Sequence, residues 1–229
     1  MGFLKDNGIR AVCFDIDGTL YPKHQTNIYL LKAAVFHPIF SYRYNKMRGD
    51  IRRLDGLEAA ERISLSDFRK RECILMYGRD LPDYDDKYVR YMYEPWCRHD
   101  TAIRAFDGMK ELLKELNDKE YAVGLLSDFP IGNKPEVLGI EGLYSYAAST
   151  EDVGTLKPNA TPFNVMADEL GVEMSSILYV GDSYRKDVTG ASHAGCRTCL
   201  ITGKKGEYPL ADIVVRDYDA MKRMFFQEQ

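Results

Sequence analysis

Ala11-Val12-Cys13-Phe14-Asp15-Ile16-Asp17-Gly18-Thr19-Leu20 is the stretch whose reading decides the fold. Four small or apolar residues run into two carboxylates one residue apart, followed by a turn residue and a hydroxyl. A run this short suits a buried parallel strand, and Gly18 marks its end. Asp15 then stands at the carboxyl end of the strand, where open α/β sheets bind their ligands. Strand alternation sends Asp15 and Asp17 to opposite sides, so one site can use both only if the chain curls between them. Two carboxylates held together repel unless a positive group sits beside them, and a hard divalent cation such as magnesium answers that need. Asp15 has the chemistry of a nucleophile toward phosphorus, and Asp17 that of a general acid and base. The plainer alternative is a strand end with two solvated aspartates in a turn.

Outward from this stretch the texture changes twice. Residues 24–99 contain nothing that reads as a buried strand. Apolar spacing predicts helices over 27–36, 58–63, 66–77 and 83–93, with Ser66 and Asp67 as the helix start of the third. Residues 41–54 are basic, with Arg43, Lys46, Arg48, Arg52 and Arg53 against Asp50, and read as a solvated helix face. Tyr84, Tyr88 and Tyr91 fall at helical spacing with Trp96 nearby, a stripe that reads as packing. From residue 105 onward, strands at 121–126, 144–149, 177–180, 198–201 and 212–215 alternate with helices, the pattern of βαβ units. Only 130–142 lacks a clear pattern. The expected architecture is α/β: a Rossmann-like, mostly parallel sheet core formed by residues 1–22 and 101–229. An all-helical cap, residues 23–100, is inserted through joints near 21–23 and 99–103.

Composition narrows the function classes. The chain has 229 residues, 45% of them hydrophobic, and a formal net charge of −4. That balance gives no support for nucleic-acid binding, and no apolar run approaches a membrane span. Five cysteines, with no recognisable secretion signal at the amino terminus, point to reduced thiols and a cytoplasmic protein. Cys196 and Cys199 form a C-x-x-C with no second pair to complete a zinc site, and read as packing residues. His24, His37, His99 and His193 have no partners at metal or triad spacing.

Three predicted strands, the one before Asp15 among them, end in polar residues suited to phosphate chemistry, and a fourth such residue, Lys157, follows in a loop. Ser127 offers a hydroxyl next to backbone N–H donors, Asp182 an oxygen ligand for a metal shared with Asp15, and Lys157, in a loop stiffened by Pro158, a point charge. Asp187 follows at an expected helix start, where capping is its plainer role. Singly each has such an alternative; the ordered set at strand ends does not.

Asp15-Ile16-Asp17-Gly18-Thr19, Ser127, Lys157-Pro158 and Gly181-Asp182-Ser183-x-x-x-Asp187 resemble the four ordered motifs of the haloacid dehalogenase superfamily. The resemblance spans the whole α/β part of the chain, and the helical insertion resembles the family's helical cap type. It implies magnesium as cofactor, Asp15 as a nucleophile that becomes phosphorylated, and Asp17 as general acid/base, its main-chain carbonyl also meeting the metal. Ser127 and Lys157 resemble catalytic phosphate binders, within a phosphate-binding set of Ile16, Asp17, Ser127, Asp128 and Lys157. Asp182 and Asp187 complete the metal set with Asp15 and Asp17. Lys186 is a departure, standing where many relatives carry a neutral residue. The expected activity is hydrolysis of a small phosphorylated metabolite, a sugar phosphate or nucleotide-like compound. A phosphomutase using the same site and a catalytically inactive phosphate-binding protein are the alternatives.

Overall fold

A computed structural model describes residues 2–94 and 103–227, apart from the side chains of Tyr29 and Met92. Trp96, Cys97 and His99, and most of the second expected joint, lie outside the described residues. Six strands form one sheet: β1 Ala11–Phe14, β2 Ala122–Ser127, β3 Tyr146–Ser149, β4 Ile177–Gly181, β5 Arg197–Ile201 and β6 Ile213–Val215. Their order is β3-β2-β1-β4-β5-β6, and every pairing is parallel. This is the doubly wound order, whose direction reverses between β1 and β4 and opens a crevice beyond their carboxyl ends. The ladder runs one residue further there, Asp15 N donating to Val180 O at 2.9 Å.

Alternation along β1 divides the core. Val12 and Phe14 pack with Met109, Leu112, Leu113 and Leu116 of one helix (α6, Met109–Asp118) and with Met221 and Phe225 of the last (α10, Tyr218–Phe226). Ala11 and Cys13 face the opposite layer, with Phe163 and Met166 of α8 (Thr161–Leu170) and Ala191 of α9 (Thr189–Ala194). The four described cysteines are free and buried, and burial pushes the Cys196 thiol up to about 12. They act as small apolar side chains.

Between β1 and β2 the chain forms α2 His24–Phe36, α3 Pro38–Asp55, α4 Leu65–Tyr77 and α5 Tyr84–Tyr88, the last running into a π turn over Val89–Tyr93. Phe40, Tyr44, Met47 and Ile51 line one face of α3 and pack with Phe68, Cys73, Met76, Tyr84 and Tyr88. The tyrosine stripe is therefore packing, and Tyr91 stacks on His37 with ring centroids 3.9 Å apart. Leu156 from the α/β part completes this cluster.

Three sequence expectations need correction here. Residues 58–63 are not helical: Gly56 adopts φ +62, and the following irregular segment is held against the sheet-bearing part. Asn159 Nδ2 donates to Asp55 O and Glu58 O, Ala160 N to Leu57 O, and Thr161 Oγ1 exchanges hydrogen bonds with Ala60. Those bonds satisfy the backbone without a helix. Ser64, not Ser66 or Asp67, caps α4, its side chain accepting from Asp67 N at 3.1 Å.

The basic run is not uniformly solvated either. Arg43, Lys46 and Arg53 face water, but Arg48 is buried and Arg52 half-buried, one turn apart on the inward face. Arg48 pairs with Glu151 at 2.6 Å and donates to Asp128 O; Arg52 donates to Lys157 O at 3.0 Å and Asp128 Oδ2 at 2.8 Å. Glu151 also accepts from Arg69 and from Tyr88 at 3.3 Å. Burial, with the Glu151 charge adding, pushes the neighbouring Glu72 carboxyl up to about 7. The stretch 130–142, unreadable by pattern, contains the short helix α7 Lys134–Leu138.

Candidate active site

Asp15 leaves β1 buried at the switch point. Lys157 Nζ donates to its Oδ1 at 2.7 Å and Thr19 Oγ1 to its Oδ2 at 3.0 Å. Lys157 is wholly buried, and its remaining contacts are Tyr179 OH at 3.0 Å, Leu126 O at 3.2 Å and Asp187 Oδ1 at 2.7 Å. Burial opposes its charge, but the Asp15 and Asp187 carboxylates hold it well above the ordinary lysine value. Burial likewise pushes Asp15 up, to about 6, against the pull of Lys157 and with the Asp187 charge adding. The Lys157–Pro158 peptide is cis.

Gly18 makes the curl. It adopts φ +104, and a Cβ there would lie 2.6 Å from Lys23 Cε and 2.8 Å from Asp182 Oδ2. The loop is closed by Thr19 N and Leu20 N donating to Ile16 O, and supported from α10 by Tyr218 OH donating to Thr19 O at 2.7 Å. None of the hydrogen-bond partners named for Asp15 is shared by the Asp17 side chain. Tyr21 OH donates to its Oδ1, Ser127 Oγ donates to its Oδ2 at 2.7 Å, and Lys134 Nζ spans both oxygens at 3.0 and 3.2 Å. Burial opposes its ionisation, yet Lys134, Tyr21 and Ser127 hold Asp17 below the usual carboxylate range.

Asp182 follows β4 and is paired with Lys23, whose Nζ lies 2.8 and 2.6 Å from its two oxygens. Asp187 sits in a π turn, Tyr184–Val188, that precedes α9; Ser183 caps that turn and donates its N–H to Asp187 Oδ2 at 2.9 Å. Asp187 is therefore not a helix cap. Gly181 lets it close in, since a Cβ there would collide with the Asp187 side chain.

Oxygens of Asp15, Asp182 and Asp187 lie within 4.8 Å of one another. Asp187 Oδ1 approaches Lys157 without hydrogen-bond alignment and is otherwise unpartnered among the described residues. Three hard oxygen donors, one buried and unsatisfied, fit a divalent cation such as magnesium. The Asp17 carboxylate stands outside this cluster, which leaves its main-chain carbonyl for any metal contact.

Of the expected phosphate set, Ser127 and Lys157 converge on Asp17 and Asp15. The Asp128 carboxylate is engaged elsewhere, with Arg52, with Lys186 at 3.4 Å, and with Lys157 N at 3.1 Å. Burial opposes its charge, but Lys186 and Arg52 hold it far below the carboxylate range. Only its backbone is available to a phosphate, and Lys186 is accounted for by this pairing. Each acid thus faces a cation: Asp15 and Asp187 share Lys157, Asp17 has Lys134, and Asp182 has Lys23. Lys23, Lys134, Tyr21 and Tyr179 were not singled out by sequence. A lone lysine outside a motif reads as surface charge; the one available signal was a tyrosine inside each buried run, whose hydroxyl needs a partner.

Fold and site together define a Rossmann-type α/β protein with an acid-rich centre at its switch point. The chain belongs to the haloacid dehalogenase-like hydrolases, whose family profile matches residues 12–201. A glyceraldehyde 3-phosphate phosphatase from Methanopyrus kandleri is 28% identical, with 92% of both chains covered. A pyrophosphatase, PpaX, from Oceanobacillus iheyensis is 25% identical over 84% of this chain and 83% of that one. Among solved structures, CbbY from Rhodobacter sphaeroides, in complex with xylulose-1,5-bisphosphate, superposes with a TM-score of 0.67 at 15% identity, covering 92% of this chain and 95% of that one. Among the described residues no helix is long and apolar enough to cross a membrane.

Proposed function

We propose that this hydrolase is a magnesium-dependent phosphatase of a small phosphomonoester, working through a phosphoaspartyl intermediate on Asp15. The carrying observation is the division of labour between the two aspartates: Asp15 faces Lys157 and the acid cluster, while Asp17 is held apart by three donors. Relatives whose names include phosphatase and pyrophosphatase support the reaction class. In the first half-reaction an Asp15 carboxylate oxygen attacks phosphorus, the bond from phosphorus to the leaving oxygen breaks, and Asp17 gives that oxygen its proton. In the second, water attacks the acyl phosphate, Asp17 takes the proton, and phosphate and free Asp15 result. The ionised Asp17 suits the second step; the first uses a proton taken up with substrate. Lys157 and Ser127 hold the phosphoryl oxygens as charge develops. Asp15, Asp182, Asp187 and the Asp17 carbonyl would hold magnesium, which would supply charge neutralisation at the phosphoryl group.

In this reading residues 23–100 form a cap that screens the strand ends from water and selects the leaving group. A mutase must grip a second phosphate, and the inward cap arginines Arg48, Arg52 and Arg69 are committed to Asp128, Glu151, Glu72 and the Lys157 carbonyl. That favours simple hydrolysis. Phosphate release from an aryl phosphate is expected to require added magnesium and to vanish on chelation, returning when the metal is restored. Undiminished turnover in metal-free buffer would sink the metal assignment. Isomerisation of a sugar phosphate, stimulated by its bisphosphate and faster than phosphate release, would replace the hydrolase by the mutase.

A further inference from the structure

Lys134 is the least expected charge in the molecule. It is 2% exposed, belongs to none of the four motifs, and opens a helix of only five residues. Burying an ammonium is costly unless it is paired and hydrogen-bonded. Here it is: the Nζ spans Asp17 Oδ1 and Oδ2 at 3.0 and 3.2 Å and also donates to Pro130 O at 3.2 Å. The last bond ties it to the loop that follows Ser127, so α7 and this loop deliver the amine together. Tyr21 OH, from the end of the loop that begins at Asp15, donates to Asp17 Oδ1 from another direction. Tyr21 is itself fully buried.

The torsion that turns an aspartate carboxylate is broad and roughly two-fold, so such a group beside an acid cluster and a cation is free to swing unless held. Ser127 is a weak permanent holder, because the proposed mechanism asks its hydroxyl to contact the phosphoryl group. We propose that Lys134 and Tyr21 are positioning residues that lock the Asp17 carboxylate in the orientation from which it takes a proton from the hydrolytic water. This rests on the phosphoaspartyl reading above. Lys134 touches neither phosphorus nor the nucleophile; it acts through Asp17, as the partners that hold a catalytic group generally do. A merely structural Lys134 would instead neutralise a buried charge, and its loss would lower all steps together.

The half-reactions separate the two cases. With an aryl phosphate, whose leaving oxygen needs little protonation, Lys134→Met is expected to form phosphoenzyme at a rate within about threefold of wild type. Its steady-state turnover should fall at least about tenfold, so that phosphoenzyme accumulates in rapid-quench intact-mass measurements. Tyr21→Phe removes one arm of the same clamp without touching a charge, and should give the same sign with a smaller fall. Lys134→Arg, which keeps a charged donor, should recover part of the loss. Equal slowing of both half-reactions in Lys134→Met and Tyr21→Phe, or no accumulation in either, would overturn the clamp. If Lys134→Met does not fold, Tyr21→Phe and Lys134→Arg decide alone. Absence of phosphoenzyme in wild type and in Asp17→Asn alike would overturn the phosphoaspartyl reading itself, and the clamp with it.

Discussion

Asp15→Asn is expected to abolish turnover, by at least about 10⁴-fold or roughly 5.4 kcal/mol of barrier, and to leave the fold intact. An amide cannot attack phosphorus, and the described residues put no second carboxylate in its place: Asp182 and Asp187 are turned toward Lys23, Ser183 and Lys157. The substitution is sterically mild, and the site already disfavours charge there, since burial pushes Asp15 up to about 6. Lys157 keeps its partner in Asp187, 2.7 Å away. Loss of activity should therefore come without a comparable loss of melting temperature, which keeps nucleophile and scaffold apart. Phosphate release combined with intact-mass analysis after rapid quenching measures it. A variant still working within tenfold of wild type would move the nucleophile elsewhere.

Removing one acid outside the acid cluster should unfold more protein than any change in that cluster. Glu151 is fully buried and receives both Arg48 and Arg69. Glu151→Ala would leave two buried guanidinium groups facing the gap, of which Arg69 retains Glu72 at 2.6 Å while Arg48 retains only neutral acceptors, Tyr44 OH and Asp128 O. Breaking a buried pair from one side costs about 3–5 kcal/mol, because a charge remains without compensation. Urea unfolding should show that loss at unchanged slope. Glu151→Gln, which keeps an acceptor of the same shape, should cost less. A loss below about 1 kcal/mol for Glu151→Ala would mean that water reaches the guanidinium groups and that the cluster is not a closed one.

The central strands of the sheet were legible because β1, β2 and β4 are short apolar runs cut off by Asp, Ser or Gly, and parallel strands buried on both faces read that way. The motif residues were legible for a related reason: polar groups at the ends of such runs have few structural excuses. What escaped depends on distance along the chain. Lys134 and Asp17 are separated by 117 residues, and nothing in the run Pro130-Ile131-Gly132-Asn133-Lys134 announces a buried amine. Arg48 and Arg52 looked like their solvated neighbours because periodicity ranks apolar residues and is silent on which charges turn inward. The irregular path of 57–64 was hidden for a third reason. Several of its backbone groups are taken by Asn159, Ala160 and Thr161, about a hundred residues away, and a reading of local helix propensity does not see such partners.

The seam around Asn159 also bears on modular engineering. Asp55, Glu58 and Ala60 give their carbonyls to the α/β part, Thr155 Oγ1 donates to the Asp55 carboxylate at 2.7 Å, and Leu156 is an apolar member of the helical cluster. The two parts share a third suture besides the two chain crossings. Excising the helices and splicing the crossings would therefore strand the Asn159 amide, the Glu151 carboxylate and a buried leucine at a raw surface. A transplant of helices from a relative would succeed only if it carried complements to these groups, so the natural unit of exchange is the helical insertion together with residues 150–161.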